Sequence, residues 1–422
     1  MQPGAQAGSG FKHGMVQAFG SLRLRDYRML WFGMLFSLMA LQIDLVARSW
    51  LAYDLTGSAF TLGLVAAARG LPQLILSPLG GVAADRFDKR RLLVTSEVIV
   101  FSLALTTAML VHSGVIQVWH LAVLGFCQGI ATPFSMPVRT ALVPHLVHDS
   151  QVPNALALES TARNINRVFA PAMAGLLLAW HPTLAFYAVA VAYGLGVLTL
   201  MRLPSGLRGD GVRSGPFAEM MIGFRYIWER PSLMALLLLA YIPILLGMPF
   251  QQLLPVFQSD VLNMNERALG FMYTAVGLGA IAGSMVVAYI AMTPHKNKLQ
   301  IASGIAFGVT LSAFALSTNY ALSLVLLSIV GFMSSGYLTF NRMLVVLQTD
   351  RALYGRVMSV YGMTWSLMPL ALLPIGALAD QFGAPATVAG AGLLMSLVIA
   401  SIALRFSHYY LKGSSKVPAQ SD

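Results

Sequence analysis

Among the charged side chains inside apolar runs long enough to cross a bilayer are Asp44, Arg48, Arg69, Glu159, Arg163 and Arg167. A charge at the bilayer centre costs about 2.5–3.5 kcal/mol on insertion scales, so each should face a protein interior and hold a partner. Asp44 and Arg48 lie four apart and share a helix face, while Glu159, Arg163 and Arg167 continue one stripe at that spacing. Arg69 falls at a depth similar to Asp44. The chemistry open to such a set is proton exchange, because a carboxylate gains or loses a proton as a neighbouring arginine withdraws or approaches. Asp44, the acid nearest mid-membrane, is the leading candidate and Glu159 the next. A buried ion-pair lattice that only fixes helix packing is the competing reading.

A second cluster reads Gly81-Val-Ala-Ala-Asp85-Arg86-Phe87-Asp88-Lys89-Arg90-Arg91. Gly81 permits close helix approach, and Asp85 can accept hydrogen bonds from a neighbouring helix end and from nearby arginines. Glu97 is expected in the same cluster. Other chemistries find no support. The eight histidines show no metal-ligand spacing, the single cysteine (Cys127) allows no disulfide within the chain, and no nucleophile–base arrangement stands out. Gly277 to Gly283 is glycine-rich without the lysine of a phosphate loop. No cofactor, metal or catalytic centre is expected.

The elements that position these charges follow from composition. Of 422 residues, 57% are hydrophobic and 10% charged, against about 25% charged in soluble domains; mean hydropathy is +0.71. A large soluble enzyme is excluded. Twelve span-sized segments are predicted at 29–53, 59–83, 91–112, 117–140, 154–180, 183–202, 233–256, 267–292, 298–317, 320–347, 355–379 and 385–405. The chain thus divides into a cytoplasmic segment 1–28, a six-helix bundle 29–203, a linker 204–232, a second six-helix bundle 233–405 and a tail 406–422. Residues 1–28 lack a signal peptide's apolar stretch. The linker's second part, Phe217 to Trp228, mixes aromatic and charged residues as a surface-lying amphipathic helix would.

With the N-terminus inside, 22 of the 27 basic residues fall on the cytoplasmic side, which predicts both termini there. The basic excess is thereby assigned to the membrane surface rather than to nucleic acid. A shift of 207 residues lays Leu62-Gly63-Leu64 on Leu269-Gly270-Phe271, Gly70-Leu71 on Gly277-Leu278, and Arg91-Leu92 on Lys298-Leu299. Two repeated halves with a central linker predict a substrate site near the midplane.

The loop from Gly81 to Arg91 resembles the major facilitator superfamily motif G-x-x-x-D-R-x-G-[RK]-[RK]-[RK], with Asp88 where the family has glycine. The resemblance implies that Asp85 and the basic residues Arg86, Lys89, Arg90 and Arg91 latch the cytoplasmic face. Ser49 to Ser58, Leu71 to Gly81, Met136 to Pro144 and Val152 to Leu158 are similar to one bacterial branch, which holds the enterobactin-exporter-like and macrolide-efflux-like proteins. This implies export of a small molecule driven by proton antiport, by a monomer in the bacterial inner membrane. Ala170-Pro171-Ala-Met-Ala174-Gly175 resembles the family's antiporter motif, with alanine for two glycines. The fourth-span arginine of R-x-x-Q-G is absent: Gly125 stands in its place, ahead of Gln128 and Gly129.

Cavity-facing candidates are Gln42, Gln128, Tyr241, Gln251, Tyr337 and Asn341, a mixture suited to a bulky amphipathic molecule; the intramembrane arginines favour an anionic or chelating one. Uptake by symport, and a non-transporting sensor or assembly factor on the same fold, are the rival readings.

Overall fold

The computed structural model describes residues 20–204, 206, 216–290 and 293–405. Residues 1–19, 406–422 and most of 205–215, and hence parts of the expected terminal segments and linker, lie outside the described residues. So do the side chains of Gly81 and Asp85, the centre of the expected latch.

The regular structure among the described residues is all helical: α1 Arg25–Thr56, α2 Ala59–Arg86, α3 Lys89–His112, α4 Val118–Leu146, α5 Val152–Trp180, α6 Pro182–Leu200, α7 Pro216–Trp228, α8 Pro231–Val261, α9 Glu266–Tyr289, α10 Lys296–Ala315, α11 Tyr320–Leu347, α12 Tyr354–Phe382 and α13 Ala384–Arg405. Among the described residues, eleven helices are long and apolar enough to cross a membrane. The twelfth expected span, α5, has 29 residues and the needed length; Glu159, Arg163, Asn164, Asn166 and Arg167 make it polar.

Helix starts follow local chemistry. Ser58 caps α2 by accepting from Thr61 N at 3.3 Å, Asn265 caps α9 and Asn319 caps α11 in the same way. Asp88 caps α3: its Oδ1 accepts from Arg91 N at 2.8 Å, and its Oδ2 accepts from Gly206 N at 2.8 Å. Its φ of −60° asks for no glycine, so the departure from the family motif puts a capping carboxylate where others have a flexible residue. In α8, Pro243, Pro249 and Pro255 lack the N–H a regular helix needs, and the helix relaxes into π turns at Pro243–Gly247 and Phe257–Val261.

Helices α1 to α6 pack as one bundle and α8 to α13 as the other, joined chiefly by α2 against α12 and α5 against α9. The internal repeat has a physical meaning at these two crossings. A Cβ on Gly63 would lie 2.8 Å from Leu372 O, and one on Gly270 would lie 2.8 Å from Pro171 O. Gly70 likewise abuts Pro369, and Gly277 abuts Arg167 O. The glycines kept at the 207-residue shift are those that let the halves touch. Large apolar side chains such as Leu198, Leu397 and Leu404 face outward, as lipid contact requires. Helix α7 lies beside the start of α12, with Ile227 buried and Gly223 against Arg356 O.

Candidate functional site

Asp44, on α1, is 2% exposed and held by two arginines. Arg48 Nη2 donates to Oδ1 at 3.0 Å and Arg69 Nη1, from α2, donates to Oδ2 at 3.3 Å. Arg48 Nη1 also donates to Leu121 O of α4 at 3.2 Å. A Cβ on Gly125 would lie 3.8 Å from Arg48 Nη1 and 3.7 Å from Arg69 Cβ. The glycine that replaces the family arginine therefore faces two arginines supplied by other helices. Gly129, one turn on, brings α4 against the backbone of Arg69.

Toward the face that bears both described chain ends, here the terminal face, lies a second buried pair. Arg139 Nη2 donates to Glu97 Oε1 at 2.6 Å, with Ser37 at 2.9 Å from Oε2 and Ser135 at 3.1 Å from Oε1. Three helices meet there: α1, α3 and α4. A 3-10 turn at Thr132–Phe134, set by Pro133, interrupts α4 ahead of Ser135 and Arg139. Glu97 was expected beside Asp85 and the basic loop; its partner is Arg139, which charge counting had placed among the cytoplasmic residues. Of the basic loop, Lys89 is buried, Arg86 and Arg91 are exposed, and Arg90 donates to Met201 O.

Both clusters border a central cavity with two lobes. One, of about 480 Å3, is lined by Arg48, Arg69, Glu97 and Arg139. The other, of about 780 Å3, is lined by Arg167 and Arg342 together with amides, hydroxyls and aromatic rings. They share Gln42, Leu45, Trp365 and Met368, so the space lies between the halves. Asp44 sits behind its arginines and lines neither lobe; Glu97 lines the first directly. Helix α8 offers Met248 and Gln251 to one lobe and Pro249 and Gln252 to the other, all between its two π turns.

Four of the six cavity candidates are corrected. Gln42 and Gln251 line the cavity, whereas Gln128, Tyr241, Tyr337 and Asn341 do not. Tyr337 donates to Leu239 O at 2.6 Å and Asn341 Nδ2 to Leu236 O at 2.9 Å; these two donors hold α11 against α8. Gln128 is 2% exposed, packed within α4's own bundle. Sequence reasoning missed Arg342, counted with the loop that follows. Its signal was the length of α11, which continues for five residues beyond it.

The stripe on α5 separates into parts. Glu159 and Arg163 approach to 3.9 Å, while Arg167 turns into the cavity. Ala170, Pro171, Ala174 and Gly175 are all buried at the crossing with α9, where a Cβ on Gly175 would lie 2.6 Å from Gly270 Cα. Small residues there set helix approach, and Pro171 supplies the carbonyl that Gly270 meets.

The face opposite the termini, the far face, is clasped across the halves. Ser49 meets Gln252 at 2.6 Å, and Tyr53 donates to Asp260. Asp380, at the end of α12, caps α2: it accepts from Ser58 Oγ at 2.6 Å, Ala59 N at 2.6 Å and Phe60 N at 3.1 Å. Gly376 lies against Ala59 O in the same contact. The segment Gly376-Ala-Leu-Ala-Asp380-Gln-Phe382 echoes Gly81-Val-Ala-Ala-Asp85-Arg-Phe87, so the antiparallel pair α2 and α12 ends twice in the same pattern, at opposite faces.

Two six-helix bundles joined at two glycine-rich crossings, with a charged cavity between them, define a carrier of the major facilitator superfamily. The chain belongs to the transmembrane secretion effector family, whose model matches residues 16–419. It falls in the branch of macrolide-efflux and enterobactin-exporter proteins: it is 23% identical to macrolide efflux protein A of Streptococcus pyogenes over 377 residues, covering 87% of this chain and 92% of the relative. It is 25% identical to the enterobactin exporter EntS of Escherichia coli, over 88% of each chain. Its fold matches that of a bacterial homolog of the lysosomal transporter spinster, with a TM-score of 0.71 at 13% identity, covering 94% of this chain and 99% of that one. The chain is a multi-pass transporter of the cell membrane.

Proposed function

We propose that the protein exports an amphipathic small molecule by alternating access, exchanging it for protons. On this reading the protein sits in the bacterial inner membrane with its terminal face and both termini on the cytoplasmic side, and the carrier works as a monomer. The relatives named for macrolide efflux and enterobactin export support outward movement. The observation that carries the mechanism is the cavity between halves bordered by two carboxylate–arginine clusters, with Asp44 between Arg48 and Arg69 and Glu97 on Arg139.

A proton site must sense the cavity. Arg48 and Arg69 line it while holding Asp44, so a ligand or a helix movement that draws either arginine away leaves the carboxylate to bind a proton. Asp44 is assigned that role, and Arg48 and Arg69 modulate it. Glu97 has a rival claim because it touches the cavity itself. Alternating access uses the two G-x-x-x-D ends. Asp380 holds α2 when the far face is closed, and Asp85 holds the start of α12 when the terminal face is closed. Pro171 and the small residues around it form the α5–α9 bearing on which the halves rock.

Inverted membrane vesicles from a strain lacking other efflux pumps test the direction. With an acid interior they should accumulate a transported macrolide or siderophore, and right-side-out vesicles should not. Accumulation only in right-side-out vesicles would replace export with uptake.

A further inference from the structure

We infer that the larger lobe of the cavity binds an anionic group of the carried molecule between Arg167 and Arg342. The inference rests on the reading that this cavity is the substrate site, and it names the ligand class. It begins from a contrast among the intramembrane arginines. Arg48 and Arg69 share Asp44, Arg139 holds Glu97, and Arg163 faces Glu159. Arg167 and Arg342 form no ion pair among the described residues. Both are exposed within the lobe they line.

Among the described residues, no acidic side chain lines that lobe. Apart from the two arginines its polar side chains are neutral, with Asn164 and Gln251 among them, and can complete hydrogen bonding around an anion without repelling it. A guanidinium enclosed in a membrane protein without a carboxylate calls for an anion from elsewhere, and its planar donor fork suits carboxylate, catecholate or phosphate oxygens. Tyr361 and Trp365 in the same lobe offer faces for an aromatic or apolar body.

The two arginines come from different halves, Arg167 on α5 and Arg342 on α11. A single anion held by both would join the bundles and be released as they part, which ties ligand charge to the rocking motion. Smaller neutral contacts on one half alone could not do this.

The test uses full-length protein in phosphatidylcholine nanodiscs and three probes of one shape: naphthoate, the neutral naphthamide and cationic naphthylmethylammonium. Calorimetry should find naphthoate bound about tenfold or more tighter than naphthamide, as expected for a charge-assisted pair. R167Q and R342Q should each remove that advantage and leave naphthamide binding intact, which shows that the variants are folded. R167K should keep part of it. Equal binding of naphthoate and naphthamide, or a preference that survives both substitutions, overturns the inference. So does displacement of naphthoate by added phosphatidylglycerol, which would assign the arginines to a lipid headgroup. Vesicle transport of a neutral probe without anion preference would remove this inference and leave export standing; anion binding without transport would do the reverse.

Discussion

The Asp380 clasp can be tested with one substitution, D380A. Asp380 satisfies the first two free N–H groups of α2 and accepts from the Ser58 hydroxyl as well, at 2.6, 3.1 and 2.6 Å. Loss of a helix cap costs about 0.5–2 kcal/mol, and loss of a negative charge at a helix N-terminus about 0.3–1 kcal/mol. Asp380 and Ser58 are near solvent, which replaces part of the loss, so about 1–2 kcal/mol is expected. All of it falls on the state with the far face closed, because the contact joins the two halves. The equilibrium should move toward far-face opening by about 5–30-fold. D380N keeps an acceptor oxygen and should shift it less, since asparagine caps about as well as aspartate. The assay is labelling of A52C, a wholly buried position on the cavity lining, by an impermeant maleimide from the far side in a C127A background. D380A labelling at the parental rate would refute the clasp. A D380N effect equal to that of D380A would refute the capping part of the reasoning.

Other consequences follow from the same geometry. G270A places a methyl 2.8 Å from Pro171 O and against the backbone of Gly175, so it should lower the thermal midpoint by the equivalent of about 1–3 kcal/mol of overpacking. G390A, whose methyl meets nothing within 4 Å, should not lower the midpoint and should raise it slightly, since alanine is the better helix former. R139A strands Glu97 as a buried carboxylate and should cost about 3–5 kcal/mol, seen as lost expression or melting temperature; the E97Q/R139Q double variant should recover most of it. Asp350, in the loop before α12, is held below the usual carboxylate range by hydrogen bonding to Tyr226 and Arg230. Its contact with the linker helix is therefore intact at neutral pH and lost as pH falls through the lowered value, so acid should speed proteolysis within α7, and D350N should remove that pH dependence.

Much of the fold was legible because its signals are local. Apolar length marks the spans, and the 207-residue repeat that matches Gly63 and Gly70 to Gly270 and Gly277 marks the two halves; their place at the crossings shows only in the fold. The same locality explains α5, whose polar stripe lowers its apolar character although its length and packing are those of its neighbours. The site was legible in part. Asp44 and Arg48 announce themselves at helical spacing and Arg69 by its matching depth, but the Glu97–Arg139 pair joins residues 42 apart on different helices. Tyr337 and Asn341 were read as lining because they are polar in an apolar span; the structure spends them on carbonyls of α8. Asp380 escaped because its motif repeats that of Asp85 outside the 207-residue register. Such pairings depend on how antiparallel helices meet, which no periodicity encodes.

The central claim is that a buried carboxylate couples proton movement to the cavity, and it is tested most directly by proton flux in reconstituted vesicles. Protein in vesicles holding a pH-sensitive dye should release protons from an acid interior when a transported substrate is added outside, at the face equivalent to the cytoplasm. D44N should abolish that release and the gradient-driven accumulation, while substrate exchange at equal pH continues, and D44E should restore part of the release. Proton release and pH dependence unchanged in D44N would contradict the account; loss of both in E97Q with D44N intact would move the coupling site to the Glu97–Arg139 pair.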